Sequence, residues 1–372
     1  MSAAAFGEAA GRASEPRPIR VMIVDDSAVA RAVLSRMVAT ESDFEVVAQA
    51  SDAEQALDLL RSMRIDIVML DVEMPDTDGL TALPRIIAAG GGARVIIVSS
   101  IAEDGAAAAV QALALGAADT IPKPGGGRRQ GNFSALLLGK MRAIGHARRE
   151  EQRAAPPRVD ARLSGVRLRA APSQPIRCLA IGASTGGLHA LSRMFAELSD
   201  PIGIPILVTQ HLPSVFMPFF ARQLAALTGR ETDVATDGTE LVADRILIAP
   251  GDGHLRVKSG GRAEVVIERG HAVGGCLPAV DPMFISVAER FGAGACGVVL
   301  TGMGRDGLAG CARLAGVGAT VFVQDPATSA VWGMPGSVAE AGYACAVLDP
   351  AAIARAVGAR TRLSQAGASS WK

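Results

Sequence analysis

From Ile19 onward, short apolar runs alternate with stretches of helical periodicity, and no other feature of the chain constrains its fold as tightly. The first series reads VMIVDD, FEVVAQA, IDIVML, RVIIVSS and ADTIPKP, with amphipathic segments such as AVARAVLSRMVAT and AEQALDLLRSM between the runs. Strands separated by helices return to their sheet in parallel, so these repeats predict a (βα)5 unit with a parallel five-stranded sheet and helices on both faces. A last amphipathic helix spans about Phe133 to Glu150. A second series begins at Ile176 with CLAIG, PILVTQ, RILIAP, AEVVIE, CGVVLTG and TVFVQD. Most of these runs are purely apolar, as strands covered on both faces must be, and they predict a larger, doubly wound, mostly parallel α/β domain. GHLRV and AEVVIE lie close enough in sequence to pair as an antiparallel hairpin.

The expected organisation is therefore a disordered tail at 1–18, a first domain at 19–136, a helix end and linker at 137–175 and a second domain at 176–370. The linker assignment rests on its Pro, Arg and Ala content and its lack of apolar period. A length of 372 residues suits two domains. The formal net charge of zero conceals an asymmetry: residues 18–125 hold 8 Lys/Arg against 16 Asp/Glu, and residues 126–176 hold 11 against 3. A basic segment can serve nucleic acid, but one beside an acidic neighbour reads better as a solvated linker. The 5 cysteines form no C-x-x-C pair, which argues for a reduced, cytoplasmic setting and against a zinc site. No secretion signal is expected, and no apolar run approaches a membrane span.

Open parallel sheets present their functional groups at the carboxyl ends of strands. In the first domain those ends carry Asp25 and Asp26, Asp71, Ser99 and Lys123. Three carboxylates brought together repel one another unless a hard cation such as Mg²⁺ joins them. Asp71 would then attack a phosphoryl group, with the cation and Lys123 balancing charge and Ser99 offering a hydrogen bond. The segments VDDSA, MLDVEMPDTDGL, IVSS and IPKP resemble the receiver domain of bacterial two-component response regulators, over about residues 19–136. That resemblance implies phosphorylation of Asp71 by a histidine kinase. It also implies Mg²⁺ held by Asp26, Asp71 and the carbonyl of Glu73, with Asp25 alongside. The chain departs from the pattern at Thr120, where receivers usually carry an aromatic residue.

The stretch IGASTGG opens the second domain's chemistry. A dinucleotide fingerprint would need glycine where Ser184 stands, which weakens a nucleotide-binding reading. The same residues match G-x-S-x-G, a strand-to-helix turn that exposes a serine and aims free N–H groups at a developing oxyanion. Serine needs a base. Of five histidines, His146 falls in a charged helix tail, His271 in a polar stretch, and His189 in the helix after the turn, where it is expected to point away. His211 and His254 both follow strand ends, and His211 is nearer to its own. Asp252, Asp306 and Asp325 are candidate acids that pattern alone does not separate.

IGASTGG, QHLP, IAPGDGHL, PAVDPMF, VLTGMGRDG and VWGMP, in this order, resemble the catalytic domain of chemotaxis protein-glutamate methylesterases, over about residues 176–358. A receiver joined to this domain is that family's usual arrangement. The resemblance implies Ser184 as nucleophile, His211 as base and Asp306 as orienting acid, with backbone N–H groups of Thr185 and Met303 as the oxyanion hole. It further implies glutamate methyl esters and glutamines of chemoreceptor cytoplasmic domains as substrates, and a chemotaxis histidine kinase as phosphodonor. It implies no cofactor for the ester chemistry and a resting receiver that covers the active site. No nucleic-acid partner and no membrane insertion are expected. Where the family generally carries a histidine and a basic residue before P-[SA]-V-D, this chain has Cys276 and Leu277.

Overall fold

The computed structural model describes residues 17–74, 79–100, 102–123, 130–153 and 163–368. The tail expected at 1–18 and the centre of the linker lie mostly outside these residues.

The first unit contains β1 (Ile19–Val24), α1 (Ala28–Val38), β2 (Phe44–Ala50), α2 (Ala53–Ser62), β3 (Ile67–Leu70), α3 (Gly79–Ala89), β4 (Arg94–Ser99), α4 (Glu103–Ala114), β5 (Asp119–Pro122) and α5 (Gln130–Arg153). Its sheet runs β2-β1-β3-β4-β5, with every pairing parallel. The sheet is wrapped on both sides: Ile67, Val68, Met69 and Leu70 of β3 are all fully buried. The amphipathic helix expected at Phe133 to Glu150 is α5.

The second unit contains β6 (Cys178–Ala183), α6 (Gly187–Glu197), β7 (Ile206–Gln210), α7 (Met217–Thr228), β8 (Thr232–Val234), β9 (Ile246–Ile248), β10 (His254–Val257), β11 (Val265–Glu268), α8 (Val280–Phe291), β12 (Ala295–Val299), α9 (Leu308–Gly316), β13 (Thr320–Gln324), α10 (Met334–Glu340), β14 (Ala346–Leu348) and α11 (Pro350–Ala368). Its seven strands lie in the order β14-β13-β12-β6-β7-β9-β8, all parallel, and β10 and β11 form the antiparallel hairpin. The outermost strands β8 and β14 escape a sequence reading because each has three residues and none is fully buried, so neither shows an apolar run.

The strand order turns around β6: the chain leaves it toward β7 on one side and later returns at β12 on the other. In a doubly wound sheet this switch point opens a crevice beyond the strand ends. Gly182 near the end of β6 is required there, since a Cβ would lie 2.5 Å from Val280 Cγ1. Its absence lets the N-terminus of α8 close on the central strand. The helix leaving β6 is fixed by the buried face Leu188, Leu191, Met194 and Phe195, each side chain contributing roughly 1.5–3 kcal/mol.

The two units meet. Helix α4 of the first lies against α6 and α7 of the second. Met303 and Val331 of the second unit pack with the cluster of Ile121, Phe133, Leu137 and Met141 of the first.

Candidate active site

Ser184 follows β6, His211 follows β7, and Asp306 lies in the glycine-rich loop after β12, so three adjacent strands supply the three residues. Ala183 and Gln210 are register partners, which makes Ser184 and His211 the next pair at the sheet's edge. His211 N–H donates to the Ala183 carbonyl (3.0 Å), and Gln210 Nε2 donates to the Ser184 carbonyl (2.8 Å). Asp306 must reach across the end of β6 to meet His211, and it does: Nε2 and Oδ2 are 2.7 Å apart. Four hydrogen-bond contacts fix its carboxylate. Oδ2 also accepts from Val280 N–H (2.7 Å), and Oδ1 accepts from Asp281 N–H (3.0 Å) and Gly307 N–H (2.8 Å). The carboxylate thus caps α8 while it orients the imidazole.

The alternatives are engaged elsewhere. His254 is buried, with Nδ1 accepting from Ala279 N–H (2.9 Å) and Nε2 facing the His271 carbonyl (3.2 Å). Asp252 pairs with Arg269 on the surface, and Asp325 accepts from Thr328. His189, expected to point away, lines the recess beside Ser184.

Burial opposes the imidazolium of His211, but its hydrogen bond to Asp306 and the neighbouring Cys276 outweigh it and raise its pKa to about 9. Asp306 is held below its ordinary value. Burial would raise it, but the His211 hydrogen bond and charge and the Val280 and Asp281 amides prevail. With Nε2 on Asp306, Nδ1 is the nitrogen left to face a hydroxyl. Ser184 Oγ and the imidazole are not hydrogen-bonded among the described residues. Such contacts are commonly loose until a substrate is bound.

Next to Ser184, the backbone N–H groups of Thr185 and Met303 donate no hydrogen bond among the described residues. The first unit touches both residues. Thr185 Oγ1 donates to Asp119 Oδ2, and Met303 packs in the cluster that includes Leu137 and Met141. The Ala118 carbonyl also accepts from Gly186 N–H (2.8 Å). Asp119 is buried and paired with Lys140 (2.6 Å). The recess left between Ala118, Asp119, Ser184 and His189 has a volume of about 10 Å³, the scale of one water. Sequence reasoning missed Asp119 because it starts β5 rather than ending it.

In the first unit, ligand oxygens of Asp25, Asp26 and Asp71 lie within 4.8 Å of one another. Lys123 Nζ contacts Asp71 Oδ2 (2.6 Å) and Asp25 Oδ2 (2.9 Å). Burial raises the Asp71 pKa in spite of Lys123 and the Glu73 amide. Burial works against the Lys123 ammonium, but the two carboxylates keep its pKa raised. Ser99 Oγ is buried without a partner among the described residues. A crowded all-oxygen donor set with an unused hydroxyl nearby fits a hard cation such as Mg²⁺. The Glu73 carboxylate stands apart, accepting from Ser100 N–H (3.3 Å).

Residues 21–129 match the response regulator receiver domain, and residues 179–357 match CheB methylesterase. A protein-glutamate methylesterase/protein-glutamine glutaminase 2 of Caulobacter vibrioides is 41% identical over 348 residues, 92% of this chain and 99% of that one. The chain belongs to this family. A second member, from Azospirillum brasilense, is 40% identical over 356 residues, covering 89% of this chain and 90% of its own. The crystal structure of the Thermotoga maritima CheB methylesterase catalytic domain matches with 34% identity and a TM-score of 0.48, covering 50% of this chain and 98% of that one. The first unit of this family member is thus its receiver, and the second its methylesterase domain.

Proposed function

We propose that the chain is a phosphorylation-controlled hydrolase that removes methyl groups from glutamate methyl esters of chemoreceptors, and deamidates receptor glutamines, during chemotactic adaptation. The observation that carries this reading is the His211–Asp306 pair at 2.7 Å, one register step from Ser184 at the sheet's switch point. Ser184 Oγ attacks the ester carbonyl carbon and His211 takes its proton. The charge that develops on the carbonyl oxygen meets the N–H groups of Thr185 and Met303, donors of a kind worth about 10²–10³-fold each. The tetrahedral species expels methanol with the proton returned by His211 (ammonia, for a glutamine). Water, deprotonated in the same way, then releases the glutamate.

Two features support a resting state. Receiver residues Asp119 and Ala118 hold Thr185 and Gly186, the two residues that follow Ser184. An imidazole with a pKa of about 9 is mostly protonated near neutrality and is a poor base. Control then comes from the receiver. A chemotaxis histidine kinase phosphorylates Asp71, and Ser99 and Lys123 meet the new phosphoryl oxygens. Mg²⁺, when bound by Asp26, Asp71 and the Glu73 carbonyl with Asp25 beside them, neutralises charge for that transfer. The domain limits proposed are 19–136 and 176–370, in a cytoplasmic protein. No helix among the described residues is long and apolar enough to cross a membrane.

The test is methanol release from a methylated receptor fragment, with and without acetyl phosphate. Release should rise with the phosphodonor and vanish in Ser184→Ala. A folded Ser184→Ala protein turning over near the wild-type rate would remove Ser184 from the mechanism.

A further inference from the structure

We propose that His211, Cys276 and Asp306 form a zinc site whose occupation switches the esterase off. One ligand atom from each residue lies within 4.8 Å of the other two. Each residue is held by a different part of the fold. His211 is anchored after β7 and Asp306 by three backbone amides. Cys276 is set by a two-residue turn: its amide donates to the Val273 carbonyl (2.9 Å), and its carbonyl accepts from Val273 N–H (3.0 Å). The turn residues Gly274 and Gly275 have φ of +58° and +84°, a pair of values that glycine alone adopts freely. The turn is pinned, and it delivers the thiol to the imidazole.

The donor set is imidazole nitrogen, thiolate sulfur and carboxylate oxygen. That mixture suits Zn²⁺, which commonly takes three protein ligands and leaves a fourth position to water. Magnesium prefers oxygen alone and has Asp25, Asp26 and Asp71 for that purpose. Little rearrangement is needed. Two ligand atoms on tetrahedral zinc stand about 3.4 Å apart, so Nε2 and Oδ2, now at 2.7 Å, would part by less than about 1 Å. Access is also available in the resting state. Residues 271–275 are exposed and Cys276 is partly so, whereas the other four cysteines are buried. Among the described residues, the receiver's hydrogen bonds fall on Thr185 and Gly186, not on His211, Cys276 or Asp306.

The ion takes the place of the proton between Nε2 and Oδ2, and the thiol releases its own proton on ligation. No electron transfer is involved. An imidazole on zinc no longer accepts the Ser184 proton. Metal binding stands on the cluster alone, while the inhibition rests on the methylesterase reading.

The experiment titrates the full-length protein with Co²⁺ in excess Mg²⁺, reading the thiolate-to-cobalt charge-transfer absorption. Zn²⁺ is then added to displace the cobalt. The absorption should appear at one equivalent and persist in Asp71→Asn. It should vanish in Cys276→Ala and equally in Cys276→Ser, which keeps the volume but offers no thiolate. No thiolate band in the wild type, or an equal band in Cys276→Ala, overturns the site. In parallel, Zn²⁺ should suppress methanol release about tenfold or more in the wild type and far less in Cys276→Ala, each compared with its own zinc-free rate. Equal suppression in both overturns the switch. Absence of methanol release from every zinc-free protein refutes the methylesterase reading instead and leaves the cobalt result to decide the site.

Discussion

Replacing Thr185 by valine isolates the contact proposed to hold the receiver over the esterase. The hydroxyl donates to Asp119 across the interface, and both residues are buried. A hydrogen bond to a charged acceptor contributes about 1.5–3 kcal/mol. That contribution belongs to the covered state, since an uncovered hydroxyl meets water. At 1.4 kcal/mol per tenfold, the balance between covered and uncovered forms should shift by about 10- to 150-fold. Valine matches threonine in shape and keeps the backbone N–H proposed to hold the oxyanion. Asp119 retains Lys140 (2.6 Å) and Thr120 N–H (2.8 Å), so the receiver stays intact. Methanol release without acetyl phosphate should rise toward the stimulated rate, and the stimulation ratio should shrink in step. A folded Thr185→Val protein with wild-type basal rate and wild-type stimulation would refute the argument that this contact holds the receiver down.

Asp71→Asn should remove all stimulation by acetyl phosphate while leaving the receiver folded, and a stimulated rate in that variant would contradict the control scheme. Asp306→Asn should lower kcat by about 10⁴-fold and move the acidic limb of the kcat/KM profile to lower pH, because the charge that raises His211 to about 9 is gone; an unmoved limb would assign it to another group. A folded-state value near 9 against an ordinary 6.5 means that the imidazolium stabilises the fold fully below about pH 6.5 and loses this contribution as pH rises through about 9. Urea midpoints measured across that range should fall more in the wild type than in His211→Gln. Gly302→Ala would put a Cβ 2.7 Å from Ser184 Cβ and 2.4 Å from Met334 Sδ, so methanol release should drop by about 100-fold while phosphorylation of Asp71 continues.

The parallel sheets were legible because the strand cores VMIV, IVML, CLAIG and ACGVV are buried on both faces and therefore free of charged residues. The acids after β1 and β3 were legible because strand order and strand ends follow from that pattern. The pairing of His211 with Asp306, and not with Asp252 or Asp325, was not legible from pattern. It depends on a loop that curls across β6 and on the amides of α8 that trap the carboxylate, and neither leaves a periodic trace. Resemblance to known sequences made that choice. Asp119 and Cys276 were invisible as partners of the site for a related reason. One begins a strand, the other ends a glycine turn, and each matters only through a neighbour more than sixty positions away, Thr185 and His211 respectively.

The fifth strand carries Asp119 at its first residue and hands on to Lys123 just past its last. Four residue steps of extended backbone separate them, about 13 Å. The proposed sensor and the proposed latch therefore share a single short rod. An anion newly formed on Asp71 that draws the Lys123 ammonium toward it pulls one end, and the grip on Thr185 sits at the other. On the proposed control scheme, signalling across the domain boundary would need no relay of side chains, only a strand stiff enough to slide as one piece.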